Sequence, residues 1–154
     1  MEAEKEFDPS SWPGARLYSH VLQKGWQAGG TIGVAVVAPI AAFGMYRSGK
    51  SFDVEKILTL LGRSAGVGVG LSGLMCTAKY VGMDQDGLED RVYRLHYNEG
   101  QNRVDQFAGA GTFLGGLLAA SFVSKVPAVV LGGGAAGAFA GVLAHIGTKR
   151  SKED

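Results

Sequence analysis

Long uncharged stretches alternate with shorter charged ones along this chain. Three stretches contain no Asp, Glu, Lys or Arg: residues 26–46, 106–123 and 126–144. A fourth apolar stretch, residues 57–81, carries Arg63 and Lys79 near its ends, where long basic side chains can reach the lipid headgroups. A membrane-spanning helix needs about 20 predominantly apolar residues. The pattern therefore predicts four transmembrane helices, with Pro39 a source of a kink in the first.

Glycines spaced by four residues lie inside each of these stretches. The chain has 25 glycines in 154 residues. Residues four apart lie on one face of a helix, and small residues on that face let helix backbones approach closely in a membrane. In water each interior glycine costs a helix about 1 kcal/mol relative to alanine. We therefore predict an all-α membrane protein of four glycine-rich transmembrane helices, with these helix-packing residues: Gly25, Gly29, Gly33, Gly62, Gly66, Gly70, Gly111, Gly115, Gly133, Gly137 and Gly141.

The remaining residues predict short loops, two tails and one longer polar connection between helices two and three. The predicted organisation is an N-terminal tail at 1–24, a four-helix transmembrane domain at 25–147 and a C-terminal tail at 148–154. A mean hydropathy of +0.10 and 19% charged residues would also suit a soluble domain. The charges, however, are concentrated between the apolar stretches, and soluble helices rarely lack a polar face over such a length. We therefore favour the membrane interpretation.

The ends of the chain bear on targeting and topology. Four acidic residues precede position 9, against Lys5 alone, so residues 1–8 resemble neither a secretory signal peptide nor a cleaved mitochondrial presequence. Four spans place both termini on one side of the membrane. The distribution of Lys and Arg does not fix the orientation, and an intermembrane-space location of both termini is one option.

Few residues suggest catalysis or cofactor binding. The glycine clusters at 66–70 and 132–134 lack the residues of a phosphate-binding loop, and Cys76 is the only cysteine. His145 near the end of the last helix is either a proton carrier or an interfacial side chain. We expect no enzyme activity, no cofactor and no metal site, and a net charge of +1 gives no indication of nucleic-acid binding.

The segment 82–106 is the richest in polar side chains. Leu88, Val92 and Leu95 recur at helical spacing, and Asp90 can pair with Arg94 one turn later. This pattern predicts a short amphipathic helix, either on the bilayer or a partner or solvated as part of a loop. Asp105 stands near the start of the third span, where it either caps the helix or anchors the connection across the bundle. The candidate residues for docking this connection are Arg91, Arg94, Arg103 and Asp105.

The same segment carries a resemblance to a known family. Arg103-Val-Asp105 followed by Gly109-Ala-Gly111-Thr-Phe-Leu-Gly115-Gly116-Leu117 resembles the mitochondrial inner-membrane translocase-channel superfamily, which has four glycine-rich helices. Within that superfamily, residues 89–105 look most like fungal or algal forms of an accessory subunit in the membrane arm of respiratory complex I.

The resemblance implies a multi-pass protein of the mitochondrial inner membrane. It implies a non-catalytic accessory subunit of the NADH:ubiquinone oxidoreductase of the respiratory chain, which stabilises or assembles the membrane arm. Membrane-embedded subunits of complex I and phospholipids, cardiolipin among them, would be its partners. The alternative is a channel or a component of a protein-import translocase or organelle-envelope transporter of the same superfamily. A pore would need a polar stripe through several helices, and the mid-helix polar residues are few.

Overall fold

The computed structural model describes residues 7–150, and within that range the chain is helical and contains no β-strand. Five helices follow one another: α1 Pro13–Arg47, α2 Val54–Tyr80, α3 Gln85–His96, α4 Glu99–Phe122 and α5 Pro127–Arg150. The acidic residues Glu2, Glu4 and Glu6 and the tail residues 151–154 lie outside the described residues.

Three of these helices are long and apolar enough to cross a membrane: α1, α2 and the segment Pro127–Thr148 of α5. The sequence predicts four such helices. α4 has 24 residues, but Asp105 and Gln106 border its apolar part and glycines dilute that part. It is therefore less hydrophobic than the other three.

The helix α1 is longer than the sequence predicts and is irregular in the middle. It begins at Pro13, a residue suited to the first turn of a helix, so much of the predicted N-terminal tail is helical. Gly33–Val37 forms a π-helical turn just before Pro39. Proline lacks the backbone N–H and its ring crowds the carbonyl four residues earlier. A widened turn at this place accommodates the ring and keeps the helix continuous.

Side-chain caps define the starts of α2, α3 and α4. Asp53 accepts a hydrogen bond from the backbone N–H of Lys56 at 2.9 Å. Asp84 does the same for Gly87 at 3.0 Å, and Asn98 for Gln101 at 3.0 Å. Such caps satisfy N–H groups that have no partner inside the helix. Asn98, and not Asp105, therefore caps α4.

The four long helices form a bundle with a core of small residues. The tightest pairs are α1 with α2 and α4 with α5, and α5 also packs against α2 and α1. Ala65, Ala135 and Ala138 are completely buried. Large apolar side chains point outward instead, among them Phe43, Leu74, Phe113 and Phe122. An apolar exterior around a small-residue interior is typical of helices that pack within lipid.

The short helix α3 confirms the predicted amphipathic helix. Leu88 and Val92 are 4% and 2% exposed, and the helix packs against α1 and α4. The predicted pair between Asp90 and Arg94 forms on its exposed side. The helix therefore covers the end of the bundle at which α1 begins.

Candidate functional site

Glycines bring α1 and α2 into backbone contact. A Cβ atom built at Gly29 would lie 2.5 Å from the carbonyl oxygen of Ser64, and one at Gly25 would overlap the side chain of Ser72. The hydroxyl of Ser64 donates a hydrogen bond to the carbonyl oxygen of Gly29 at 2.8 Å. Gly33, the third member of this series, faces the side chains of Leu61 and Ser64. All three predicted residues of α1 therefore lie on the face toward α2.

The pair α4–α5 is packed in the same way. Cβ atoms at Gly111 and Gly115 would overlap the carbonyl oxygens of Gly137 and Gly133, and Gly141 lies against the backbone of Phe107. The contacts run in opposite directions along the two helices, so α4 and α5 form an antiparallel hairpin. Only residues without a side chain fit at such a crossing.

The predicted glycines of α2 do not all lie on a contact face. Gly62 faces the backbone of Ala128 on α5, whereas Cβ atoms at Gly66 and Gly70 would meet nothing within 4 Å. Gly68 lies against Gly25 and Gly29 instead, and Gly132 of α5 packs on Leu58. The placement of Gly66 and Gly70 in the contact face is therefore corrected, because α2 contacts α1 and α5 on two different sides and these two glycines face outward.

Asp105 is the centre of a polar cluster between α1 and α4. Its carboxylate accepts hydrogen bonds from Gln27 at 2.9 Å and Gln101 at 3.3 Å, and it forms an ion pair with Lys24. His20 Nδ1 lies 3.2 Å from Oδ2. The Asp105 side chain is only 12% exposed. Several donors therefore compensate the desolvation of this carboxylate.

The α1 residues in the cluster share one helix face. His20, Lys24 and Gln27 are four and three residues apart, so their side chains point the same way. Gln23 adds a hydrogen bond to the backbone oxygen of Asp105 at 3.3 Å, and Lys24 also donates to Gln27 at 2.9 Å. The cluster fixes the rotation and the height of α1 relative to α4. In the structure Asp105 thus links α4 to α1.

The predicted docking arginines occupy three different environments. Arg103 donates to Thr148 Oγ1 at 3.2 Å, with its guanidinium 5.6 Å from the ring centre of Phe107, and so links α4 to α5. Arg94 is exposed and pairs with Asp90 within α3. Arg91 is exposed and lines a groove beside α1. Of the predicted set, Arg103 and Asp105 connect helices of the bundle.

An aromatic contact holds the segment before α1 against α3. The ring of Phe7 stacks on His96 with centres 3.7 Å apart, and the guanidinium of Arg16 lies 4.7 Å from the centre of the Phe7 ring. These groups border a polar cavity of about 430 Å³ that reaches Asp105. The contact covers the polar cluster from the side on which α1 begins.

Sequence reasoning missed the partners of Asp105 and the contacts of Phe7. The sequence does contain a signal for the partners of Asp105, because polar residues at 20, 23, 24 and 27 form a stripe where an apolar helix begins. His145, considered as a proton carrier, is 8% exposed and lies edge-on to Phe107. Its Nδ1 atom has no hydrogen-bond partner in the described part of the chain.

Hydroxyl groups inside the bundle bond to backbone oxygens. Thr31 donates to Gln27 at 2.8 Å, Thr112 to Ala108 at 2.9 Å and Ser72 to Val69 at 3.0 Å. Between residues 7 and 148, no group of three or more His, Cys, Asp and Glu side chains could hold a metal ion. The arrangement can hold helices together.

Comparison with protein families matches residues 5–146 to one described as "Protein of unknown function (DUF1757)". No curated protein matches the chain. The match covers the helices α1 to α4 entirely and most of α5. The chain therefore belongs to the DUF1757 family.

Proposed function

We propose that the protein is a non-catalytic accessory subunit of mitochondrial respiratory complex I, held in the membrane arm by four transmembrane helices. The resemblance of residues 89–105 to such subunits supports the choice of complex. The observation that carries the scaffold role is the bundle interior, in which glycine backbones touch and hydroxyls bond to backbone oxygens. Such an interior stabilises a fixed shape.

The hairpin α4–α5 supports a fourth span. α4 lies antiparallel to α5 through Gly111 and Gly115, so the two helices occupy the same depth. Its outer face exposes a row of large apolar side chains: Phe113, Leu114, Leu117, Leu118 and Phe122. Such a row is costly in water and suited to lipid or to another membrane subunit. We assign this face to a neighbouring subunit of the complex.

The rival function is conduction of an ion or a polypeptide through the bundle. A conducting path needs polar groups directed into a continuous opening. Thr31, Ser72 and Thr112 instead donate to backbone oxygens of their own helices, and Thr112 also accepts a hydrogen bond from the indole N–H of Trp26 at 3.3 Å. These bonds favour the scaffold over the pore.

The test is comigration of the native protein with complex I after mild detergent extraction of mitochondria. We expect the protein in the band that oxidises NADH, and we expect Asp105→Ala to lower the amount of assembled complex while NADH oxidation per assembled complex stays near normal. Asp90→Ala, which removes an exposed carboxylate outside the cluster, is the control. A protein that migrates apart from the complex would contradict the proposal, as would conductance of the protein alone in bilayers that changes with Thr31→Ala or Thr112→Ala.

A further inference from the structure

A groove of about 700 Å³ runs between α1 and α2 on the outside of the bundle. Its walls are mainly apolar: Val21, Ala28, Ile32, Val67, Leu71 and Met75. The floor is the crossing at which Gly25, Gly29 and Gly68 bring the two backbones together. Because the glycines provide no side chains there, the larger residues on either side form the walls of the groove.

The groove faces away from the other helices of the bundle. Ala28, Leu71 and Met75 on its walls are exposed, and the crossing glycines form its inner limit. In a membrane this part of α1 and α2 lies at the depth of the hydrocarbon core. Water does not stabilise an apolar surface at that depth, and an empty space would forfeit the dispersion contacts of its lining. An apolar chain that fills the groove would restore these contacts.

One end of the groove is basic. Lys79 stands one residue before the end of α2, and Arg91 projects from α3, which covers this end. Lys24 also lines this end but pairs with Asp105. Among the described residues, Lys79 and Arg91 have no carboxylate within salt-bridge distance. Two positive charges therefore stand where an apolar groove meets the level of the headgroups.

We propose that this groove binds one membrane phospholipid with an anionic headgroup. An acyl chain lies between α1 and α2, and the headgroup phosphate lies between Lys79 and Arg91. Basic pockets at the membrane surface recognise anionic lipids in this way, and guanidinium groups bind phosphate oxygens with two hydrogen bonds. The inference rests on the proposed membrane location and does not depend on complex I.

The experiment uses the full chain in phosphatidylcholine vesicles that contain a small amount of a lipid with a photoactivatable acyl chain. Two probes differ only in the headgroup, phosphatidylglycerol or phosphatidylcholine. We expect photoadducts on Ile32, Leu71 and Met75. We also expect about thirtyfold more labelling by the phosphatidylglycerol probe, since Lys79 and Arg91 each contribute about 1 kcal/mol to binding of an anionic lipid.

Matched variants separate the two halves of the site. Lys79→Gln combined with Arg91→Gln should reduce phosphatidylglycerol labelling to the level of phosphatidylcholine. Lys50→Gln combined with Lys125→Gln, at the other end of the bundle, removes the same charge and should leave labelling unchanged. Ala28→Phe should fill the groove and reduce labelling by both probes, whereas Ala140→Phe, at an exposed alanine of α5, should not. The far-UV circular dichroism spectrum of each variant verifies its helical fold.

Several results would overturn the proposal. Equal labelling by the two probes would refute the headgroup site. Labelling that survives Ala28→Phe would refute the acyl groove. Displacement by soluble glycerol phosphate would indicate a free phosphate site, and crosslinks from Met75 to another protein in native membranes, without lipid adducts, would indicate a partner helix. Failure of the protein to enter vesicles would refute the membrane location and the groove with it, whereas correct insertion without selective labelling would refute the groove alone.

Discussion

The substitution Gly111→Ala tests whether backbone contact between helices holds the bundle together. A Cβ atom at this position would overlap the carbonyl oxygen of Gly137, with the Gly137 carbonyl carbon at 2.8 Å and Gly141 N at 3.3 Å. These are backbone atoms, so no side chain can rotate away and the two helices must separate. Gly66→Ala is the matched control, because it adds the same methyl group to a helical glycine with nothing within 4 Å.

The two substitutions are expected to change the free energy of unfolding in different directions. Alanine is favoured over glycine in a helix by up to about 1 kcal/mol, so Gly66→Ala should leave the free energy of unfolding unchanged or raise it by up to that amount. Added volume in a tightly packed site typically costs about 1–3 kcal/mol. We therefore expect Gly111→Ala to lower the free energy of unfolding by about 1–3 kcal/mol, which is a roughly 5- to 150-fold change in the unfolding equilibrium.

The single cysteine provides the assay. Cys76 is 7% exposed, so a thiol-reactive fluorophore should label it as the bundle opens in increasing SDS against a mild detergent. The midpoint should shift to lower SDS for Gly111→Ala and should not fall for Gly66→Ala. Equal midpoints for the two variants would refute the reasoning that close backbone contact at α4–α5 supports the fold.

Three further predictions address the polar cluster, the membrane and the aromatic contact. Asp105→Asn keeps the shape but removes the charge facing Lys24 and His20, so the free energy of unfolding should fall by about 1.5–3 kcal/mol in the same SDS titration, against less than about 0.5 kcal/mol for Asp90→Asn; equal effects would show that the cluster is not stabilising. Alkaline carbonate extraction of membranes should leave the protein in the pellet, because three helices are long and apolar enough to span a membrane; complete release would exclude an integral protein. Phe7→Ala should increase protease cleavage before Pro13 without moving the SDS midpoint of Cys76 labelling, since its ring contacts His96 of the surface helix α3, Tyr97 directly after that helix and Arg16; unchanged cleavage would mean that the stacking does not hold this segment.

The sequence pattern predicts the helices better than it predicts their faces. The length of the apolar stretches predicts the four long helices, and the spacing of Leu88 and Val92 predicts the short amphipathic helix between α2 and α4. The starts of helices are harder to predict from the sequence, since Arg16 and Lys24 make the first turns of α1 resemble a polar tail. Those side chains belong to a helix because Lys24 pairs with Asp105 across the bundle and Arg16 lies against the ring of Phe7.

The contacts of individual glycines depend on which helices are neighbours. The helix α2 contains Gly62, Gly66, Gly68, Gly70 and Gly73, and spacing by four selects the first, second and fourth. In the structure α2 packs against α5 through Gly62 and against α1 through Gly68. Periodicity within one helix cannot reveal that the helix has two partners at different angles. It also cannot reveal that Asp105 contacts Gln27 and His20, which lie far earlier in the chain.

Three helices are long and apolar enough to cross a membrane, and whether α4 also crosses is decided by the side on which Lys125 lies. Single cysteines introduced by Lys50→Cys, Asn98→Cys and Lys125→Cys, each combined with Cys76→Ser, are labelled with a membrane-impermeant maleimide in sealed vesicles of one orientation. Four spans place Lys50 and Lys125 on one side and Asn98 on the other, because α4 crosses between Asn98 and Lys125. Labelling of Lys125→Cys together with Asn98→Cys, and apart from Lys50→Cys, would show that α4 does not cross and would contradict the four-helix bundle in the membrane.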